Sequence, residues 1–446
     1  MAEVGQASLG DAESAITRLR RWTWTWWALL AAGCLVGIAV PAGLGWDFAN
    51  FYDAGRRVAA GEVANLYDPR SLIAGRPPQG TTGFFGTPLS ALLYVPFGMF
   101  RAEVALVLFK ISNVAALALV FALLYRLYAP LVGQSVERRW QFATWFAFFC
   151  LCYQPFWTIF RVGGQTTPFV LLALAIALVT HVRGAFWISA TGMAVAALIK
   201  PSLAPAAAFL MLVSGPQFLW RSVVVFSVAG IVSLVGLGWP VHASFLALMR
   251  ESSQRTYAWY YNSSLFILID NLRTGLGPQA DSGALRTLLD ALPYALRIAM
   301  VGLVGLSTLA SRSANWTTAG RRHFDVQMAI VLFLLTSLTI WEHYLALLFP
   351  LLVSLLATRS FDDRGMRRLL VIILAVSFAQ NLVLVDLVRY RVAVDSLAPL
   401  MAVAVVKTAP LLLLVVLLTR YRRQVFESHA APGWHRSSSS AGAPPA

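Results

Sequence analysis

The chain has 446 residues, of which 58% are hydrophobic and 12% are charged, and its mean hydropathy is +0.68. This composition excludes a soluble globular enzyme, a disordered protein and a nucleic-acid binder that works in water, because soluble domains keep a polar exterior. The net charge of +15 therefore indicates basic residues at the ends of membrane spans, where they set topology and contact anionic lipid of the bilayer. No nucleic-acid partner is expected.

Long apolar runs predict an all-α integral membrane protein, a polytopic bundle of about 11–13 transmembrane helices. A helix needs about 20 apolar residues to cross the hydrocarbon core, and unbroken runs of that length exclude a β-barrel. The run at 84–100 is short enough to be re-entrant. The candidate spans are 24–44, 84–100, 103–127, 140–160, 165–182, 186–213, 219–240, 284–309, 324–341, 343–358, 367–388 and 397–420.

The flanks of these runs divide the chain into three parts. Residues 1–22 form a polar N-terminal segment, residues 23–423 the multi-spanning domain, and residues 424–446 a tail rich in Ser, Pro, Ala and Gly. That tail composition predicts disorder. The three cysteines lie in apolar runs and suggest neither a disulfide framework nor a metal site.

Arginine placement predicts the orientation. With twelve spans, the clusters before the first span, after residue 358 and after the last span fall on one side, so both termini are expected in the cytoplasm. The long segments 45–83 and 241–283 then lie outside. Two features fit this count poorly: Arg138 and Arg139 would lie outside, and Gln165 would lie on the cytoplasmic side.

The first external segment contains the most informative residues. Residues 48–60 suit a short interfacial helix with its aromatic side chains toward lipid, and Asp53, Arg56 and Arg57 occupy neighbouring turns. Asp47 precedes this helix. Its carboxylate suits either a helix N-cap or a general base that takes the proton of an attacking hydroxyl.

Two further segments carry ionisable groups at membrane depth. Glu342 and His343 form the apex between two short apolar runs, where they could be ordinary interfacial residues or could serve a site that binds phosphate. Lys200 lies near the middle of the run 186–213 and is followed by Pro201. On a straight helix it would lie near the bilayer midplane and would need an anionic partner or a watery cavity. The Gly164-Gln165 segment reads as a turn.

In their order along the chain, these residues resemble glycosyltransferase family 87, whose members have the multi-spanning C-type architecture with interfacial helices in the first external loop. Individually each motif is weak. The matching motifs are Asp47-Phe48, Phe51-Tyr52-Asp53-Ala54-Gly55-Arg56, Gly61, Leu66-Tyr67-Asp68-Pro69, Thr87-Pro88-Leu89, Pro96, Gly164-Gln165, Lys200-Pro201, Asn262-Ser263-Ser264 and His343-Tyr344.

The resemblance implies an enzyme that transfers a sugar from a polyprenyl-phosphate donor to an acceptor hydroxyl, with inversion at the anomeric carbon. The sugar expected first is mannose. The reaction would occur at the outer face of the cytoplasmic membrane, without a cofactor or metal, and the acceptor would be a glycolipid or a polysaccharide. Asp47 would be the catalytic base, and His343 and Lys200 would bind the donor phosphate. Tyr52, Asp53, Arg56, Asn262 and Glu342 would contact substrate.

Other functions remain open on the sequence alone. A transporter or lipid flippase would use Lys200 and Arg161 as intramembrane charges and should show paired halves, which the sequence does not reveal. A non-catalytic membrane scaffold would tolerate replacement of Asp47 and His343. An arabinosyltransferase or a lipid-linked polymer ligase of the same architecture could use the same acidic loop.

Overall fold

A computed structural model describes residues 2–40, 46–73, 83–161, 164–253, 262–313, 316–358, 364–365, 368, 371–372 and 397–420. Within these ranges the chain is helical and contains no strand, apart from an isolated bridge between Asn262 and Trp341. The sequence prediction of an all-α polytopic membrane protein is confirmed. The C-terminal tail and the candidate span 367–388 lie largely outside the described residues.

Five helices of the described part are long and apolar enough to cross a membrane. Three of them, which begin at Ala2, Pro216 and Gly283, bury few of their side chains, as expected for helices that face lipid, whereas about half of the helix Ala102–Tyr128 and of the helix Leu397–Arg420 is buried. These helices are α1 (Ala2–Ala39), α4 (Ala102–Tyr128), α10 (Pro216–Leu237), α13 (Gly283–Arg312) and α16 (Leu397–Arg420).

Shorter helices fill the space between these five. They are α2 (Trp46–Ala59), α3 (Val95–Gly98), α5 (Val136–Cys152), α6 (Gln154–Arg161), α7 (Thr167–Val182), α8 (Phe186–Ile199), α9 (Ala204–Val213), α11 (Trp239–Ser253), α12 (Ile267–Leu276), α14 (Thr318–Thr336) and α15 (Phe349–Thr358). The 3-10 helices Pro88–Tyr94 and Glu342–Leu348 run directly into α3 and α15.

Glycine and proline set the ends of α10. Gly215 has φ +88° and Pro216 begins the helix, while Gly238, with φ +80°, ends it. Proline suits the first turn because its missing N–H would have no helical partner, and glycine accepts a positive φ without strain. The same chemistry divides the run 186–213, because Pro201 follows α8 and starts a new 3-10 turn.

The helices define two ends of the bundle. The α2 end holds α2, the 3-10 helix Pro88–Tyr94 and α3, and α4 starts beside them. At the opposite end, the last residue of α4, Tyr128, shares a 2.7 Å hydrogen bond with His323 in the first turns of α14. Helix α4 therefore runs from the α2 end to the opposite end, and α14 runs back.

This path corrects the twelve-span topology. Residues 84–100 form short helices packed on α2 and do not cross the bundle, so they do not form the span that the count of twelve requires. Helices α5 and α6 then return to the α2 end. As a result, Arg138 and Arg139 lie at the end opposite α2, and Gln165 lies at the α2 end, both contrary to the prediction.

Helix α2 packs into the protein with its aromatic face. Phe48 and Tyr52 are buried, and Phe48 lies 5.5 Å from Phe109 of α4 between ring centres. The predicted lipid-facing orientation of these aromatic residues is therefore wrong. Gly55 allows close contact with the 3-10 helix, because a Cβ there would lie 2.2 Å from the Tyr94 carbonyl oxygen. This packing fixes the position of Asp47 at the start of α2.

Candidate active site

Asp47 and Gln165 meet at the α2 end. Asp47 lies in the first turn of α2, and Gln165 follows α6 and the glycine turn at Gly164. The Gln165 side-chain amide donates a hydrogen bond to the Asp47 carboxylate. Gly164 has φ +93°, and a Cβ there would lie 3.0 Å from Phe109, so glycine is required for the turn that presents Gln165.

Lys200 lies at the tip of a helical hairpin and not in the middle of a straight span. Helix α8 ascends to the α2 end and stops at Ile199, and α9 descends from Ala204. The Lys200 backbone has φ −129° and ψ 89°, which is not helical. The midplane position that a straight helix would give is therefore wrong.

The ammonium group of Lys200 is buried among polar and aromatic groups. Its Nζ donates to the Thr167 hydroxyl at 3.2 Å and lies 3.5 Å from the centre of the Tyr344 ring. The Asp47 carboxylate interacts electrostatically with Lys200. Lys200 is 7% exposed, so its charge is stabilised by a carboxylate, a hydroxyl and an aromatic face rather than by bulk water.

His343 completes this cluster from a different part of the chain. It is 6% exposed, feels the charge of Lys200, and lies 4.7 Å from Tyr344 between ring centres. Both residues lie in the first turn of the 3-10 helix Glu342–Leu348. We define the site cluster as Asp47, Gln165, Thr167, Lys200, His343 and Tyr344.

Asn262 fixes the segment that leads into His343. Its side-chain oxygen accepts a hydrogen bond from the backbone N–H of Ile340 at 3.0 Å, and its amide donates to the Leu338 carbonyl at 3.1 Å. Ser264 donates to the same Leu338 carbonyl at 2.7 Å. Asn262 was predicted to contact substrate, and in the structure its side chain holds the 338–341 loop.

Glu342 pairs with Lys407 of α16. The two charged groups form a salt bridge, and their side chains are only 2% and 1% exposed. Glu342 was also predicted to contact substrate, and its carboxylate is instead directed at Lys407. The pair ties the apex that carries His343 to the last described helix.

The other predicted residues of α2 lie away from the site cluster. Tyr52 donates to the Phe100 carbonyl at 2.9 Å, and Asp53 accepts from Ser71 at 2.8 Å. Arg56 is exposed and lies nine residues after Asp47, about half a turn round the helix. These contacts shape the first loop, and none of the three side chains joins the cluster.

Arg57, which received no predicted role, organises the same loop. Its guanidinium donates to the carbonyl oxygens of Asn65 at 2.5 Å, Asp68 at 2.8 Å and Arg70 at 2.6 Å. The side chain is buried, with 3% exposed. A single buried cation thus gathers three carbonyls of the loop 65–70 and holds it against α2.

The structure therefore joins three of the predicted residues, Asp47, Lys200 and His343, and adds Gln165, Thr167 and Tyr344. The sequence signal for Gln165 was the Gly-Gln turn, which the erroneous span count placed at the wrong end. Among the described residues, no three His, Cys, Asp or Glu side chains are grouped so that they could hold a metal ion.

An apolar groove reaches the α2 end of the bundle. It has a volume of about 730 Å³ and lies between α1, α4, α5 and α6, from Thr23 to Ile38 and Phe160. Its lining includes Ile38 near the end of α1 and Phe160 near the end of α6, so one end of the groove lies at the α2 end of the bundle, although no residue of the site cluster lines it. Its lining is almost entirely apolar and aromatic, as expected for a surface that holds a hydrocarbon chain.

The cluster combines a carboxylate, a buried ammonium group and an imidazole at the end of a membrane bundle. A carboxylate can accept a proton from a hydroxyl, and a desolvated cation can stabilise a departing anion. The fold and the site thus define a polytopic membrane protein with the groups needed for group transfer.

The family comparison identifies the transfer. The model of Glycosyltransferase family 87 matches residues 84–340, more than half of the chain. The chain belongs to this family and is a membrane glycosyltransferase. No curated protein and no solved structure matched the chain. The matched range contains Gln165, Lys200 and Asn262, whereas Asp47 and His343 lie outside it.

Proposed function

We propose that the protein transfers a mannosyl group from a polyprenyl-phosphate donor to an acceptor hydroxyl, with inversion, at the outer face of the cytoplasmic membrane. The observation that carries the proposal is the convergence of Asp47, Lys200 and His343, from three distant segments of a family 87 chain, at one end of the bundle. The acceptor class is a glycolipid or an envelope polysaccharide.

Asp47 acts as the general base. An acceptor hydroxyl attacks the anomeric carbon, its proton passes to the Asp47 carboxylate, and the bond from that carbon to the phosphate oxygen breaks. The hydrogen bond from Gln165 orients the carboxylate. A base positioned in this way contributes a factor of about 10²–10⁴ to the rate. Because attack and departure occur on opposite sides of the carbon, a β-linked donor yields an α-glycoside.

Lys200 and His343 receive the leaving group. Departure of polyprenyl phosphate adds negative charge at its terminal oxygen, and the Lys200 ammonium offsets this charge in a site with little water. His343 lies close enough to sense the charge of Lys200 and can donate a hydrogen bond to the same phosphate. The polyprenyl chain follows the apolar groove between α1, α4, α5 and α6.

The orientation follows from the arginines. Arg20 and Arg21 at the start of the first span and Arg138 and Arg139 in the first turn of α5 lie at the end opposite α2, so the positive-inside rule assigns that end to the cytoplasm. The site cluster then faces the outside, where lipid-linked sugars are available. The N-terminus lies in the cytoplasm, and the C-terminus is assigned there by the arginines after the last span.

A transfer assay tests the proposal. The purified protein in lipid nanodiscs receives radiolabelled polyprenyl-phosphate mannose and an extract of membrane glycolipids. We expect labelled product from the wild type and a loss of about 10²–10⁴-fold in Asp47→Asn, with donor binding retained. Asp53→Asn is the matched control, because it removes a carboxylate from the same helix outside the cluster.

Each outcome has a distinct meaning. Full activity of Asp47→Asn would overturn the assignment of the base. Transfer from a polyprenyl-phosphate pentose but not from the mannosyl donor would change the assignment of the sugar and leave the proposed mechanism unchanged. Vesicle uptake of solute without any transfer would favour the transporter alternative.

A further inference from the structure

The end of the bundle opposite the site cluster carries arginines among aromatic rings. Three helix connections meet there: the turn between α7 and α8, the turn between α9 and α10, and the start of α14. We define the arginine–aromatic patch as Arg183, Arg221, Arg322, Phe186, Trp187 and Trp220.

Aromatic rings hold two of these arginines. The guanidinium carbon of Arg221 lies 5.6 Å from the ring centre of Phe186, 5.9 Å from that of Trp187 and 5.4 Å from that of Trp220. The guanidinium carbon of Arg322 lies 4.8 Å from Phe186. The two guanidinium carbons are therefore at most about 10 Å apart, and both contact the Phe186 ring.

No carboxylate offsets these charges in the part of the chain that the structure describes. Neither Arg221 nor Arg322 forms a salt bridge there, and the carboxylate of Asp325, on α14 beside them, is bonded to Arg312 at 2.9 and 3.0 Å. The Nε–H of Arg221 is buried without a hydrogen-bond partner among the same residues. Two like charges at this separation repel, and an anion close to both would remove that repulsion.

The tryptophans indicate where this anion comes from. Trp187 and Trp220 are 45% and 48% exposed, and their rings contact each other at 5.0 Å in an edge-to-face arrangement. Half-exposed tryptophans at helix ends lie at the level of lipid headgroups. Arginine binds phosphate through paired N–H donors, and stacking on aromatic rings leaves the edge of the guanidinium free for this contact.

We propose that the arginine–aromatic patch binds the phosphate of an anionic phospholipid headgroup in the leaflet opposite the site cluster. A general positive-inside bias explains that arginines occur at this end, but it requires neither the stacking on Phe186 nor the half-exposed tryptophan pair. This proposal is independent of the sugar, the donor and the acceptor.

Native mass spectrometry tests the proposal on the full-length protein. Wild type is released from nanodiscs of phosphatidylcholine that contain a minority of phosphatidylglycerol, and the retained lipids are counted. We expect one phosphatidylglycerol to persist on wild type. The variant Arg221→Gln/Arg322→Gln should bind it about a hundredfold more weakly, since each arginine loses its hydrogen bond to the phosphate, and a hydrogen bond to a charged group contributes a factor of about ten.

The matched control is Arg138→Gln/Arg139→Gln, which removes the same charge from two exposed arginines at the same end. It should retain the lipid. Equal loss in both double variants would overturn the proposal in favour of unspecific attraction, and so would a wild type that keeps no phosphatidylglycerol. Because this wild-type measurement needs no variant, the proposal stays testable if a variant fails to fold.

Inorganic phosphate separates a lipid site from a site for a soluble anion. Added phosphate should leave the retained phosphatidylglycerol unchanged and should not raise Tm in pure phosphatidylcholine. Displacement of the lipid by millimolar-scale phosphate would overturn the assignment to a lipid headgroup.

Discussion

At the α2 end, the buried Lys200 and Glu342 interact with charged groups from distant parts of the chain, whereas at the opposite end Arg221 and Arg322 rest on aromatic rings. Lys200 faces Asp47, and Glu342 faces Lys407. The Glu342–Lys407 pair is costly to separate, because both side chains are buried and either one left alone would remain a charge without water. The arginines opposite keep contact with the interface and lose less when one is removed. Removal of one positive charge should therefore change activity and stability much more at the α2 end than at the opposite end.

Removal of the Lys200 charge should give the largest effect on activity. Lys200→Gln keeps a polar side chain beside Thr167 but lacks the charge that we propose offsets the departing phosphate, so kcat should fall by about 10²–10³-fold. Single-turnover transfer in nanodiscs measures this loss. Arg221→Gln, which removes one charge at the opposite end, should leave kcat unchanged. An equal fall in both variants would contradict the comparison.

Loss of Lys407 should give the largest effect on stability. Lys407→Met leaves the Glu342 carboxylate buried and unpaired, and the free energy of unfolding should fall by about 3–5 kcal/mol. The double variant Glu342→Gln/Lys407→Met should recover much of it. The Tm measured in nanodiscs reports both the loss of stability in the single variant and its recovery in the double variant.

Lys110→Met is the control for this pair. Lys110 is also buried, but its Nζ donates to the carbonyl oxygens of Gly37 at 3.0 Å and Val40 at 2.9 Å rather than to a carboxylate. The substitution of Lys110 leaves no buried carboxylate unpaired, so the free energy of unfolding should fall by less than in Lys407→Met. A loss as large as that in Lys407→Met would show that burial of any lysine, rather than pairing, sets the cost.

Asn262→Ala should give an intermediate effect. It leaves the buried N–H of Ile340 without its partner, at a cost of about 1–3 kcal/mol, and removes one of the two hydrogen bonds to the Leu338 carbonyl, which keeps the bond from Ser264. Ser264→Ala, which removes one hydrogen bond to Leu338, is the milder comparison. Because the loop leads into His343, Asn262→Ala should also raise the KM for the donor. An unchanged KM with lowered Tm would limit Asn262 to stability.

The smallest effect is expected in the exposed part of the first loop. The Arg70 guanidinium, bonded to the carboxylate, lowers the pKa of Asp68 to about 2. A depressed pKa contributes stability above the unfolded value of about 4, and the contribution disappears as the pH falls toward 2. Asp68→Asn should therefore lower Tm slightly at neutral pH and should erase this acid dependence. A large loss at neutral pH would show that charge at this end matters even when exposed.

The sequence was sufficient for the helical class and for part of the site. Hydropathy identified the spans, and Asp47, Lys200 and His343 stood out as ionisable groups in apolar surroundings. Gln165 was placed at the wrong end because residues 84–100 were counted as a span. One extra span reverses the predicted side of the membrane for the segments that follow it. Whether an apolar run crosses or folds back depends on what it packs against, and for this run the partner is α2, which hydropathy does not reveal.

The partners of the buried charges were beyond prediction for a different reason. Lys407 is a single lysine in an apolar helix, and nothing in its local sequence indicates that it meets Glu342, 65 residues earlier. The role of Asn262 was likewise hidden, because its contacts are with backbone groups of the 338–341 loop. A tertiary hydrogen bond to a carbonyl leaves no pattern in the sequence.

The hairpin of α8 and α9 has a consequence for the membrane around it. Helix α8 has 14 residues, which makes it about 21 Å long, whereas the hydrocarbon core of a bilayer is about 30 Å thick. The tip that carries Lys200 therefore lies below the plane reached by the longer helices. A bilayer responds to such a mismatch by thinning, and phospholipids beside the hairpin should be drawn inward. The Lys200 ammonium would then lie closer to the lipid phosphates of the leaflet at the α2 end than it would in a bilayer of uniform thickness.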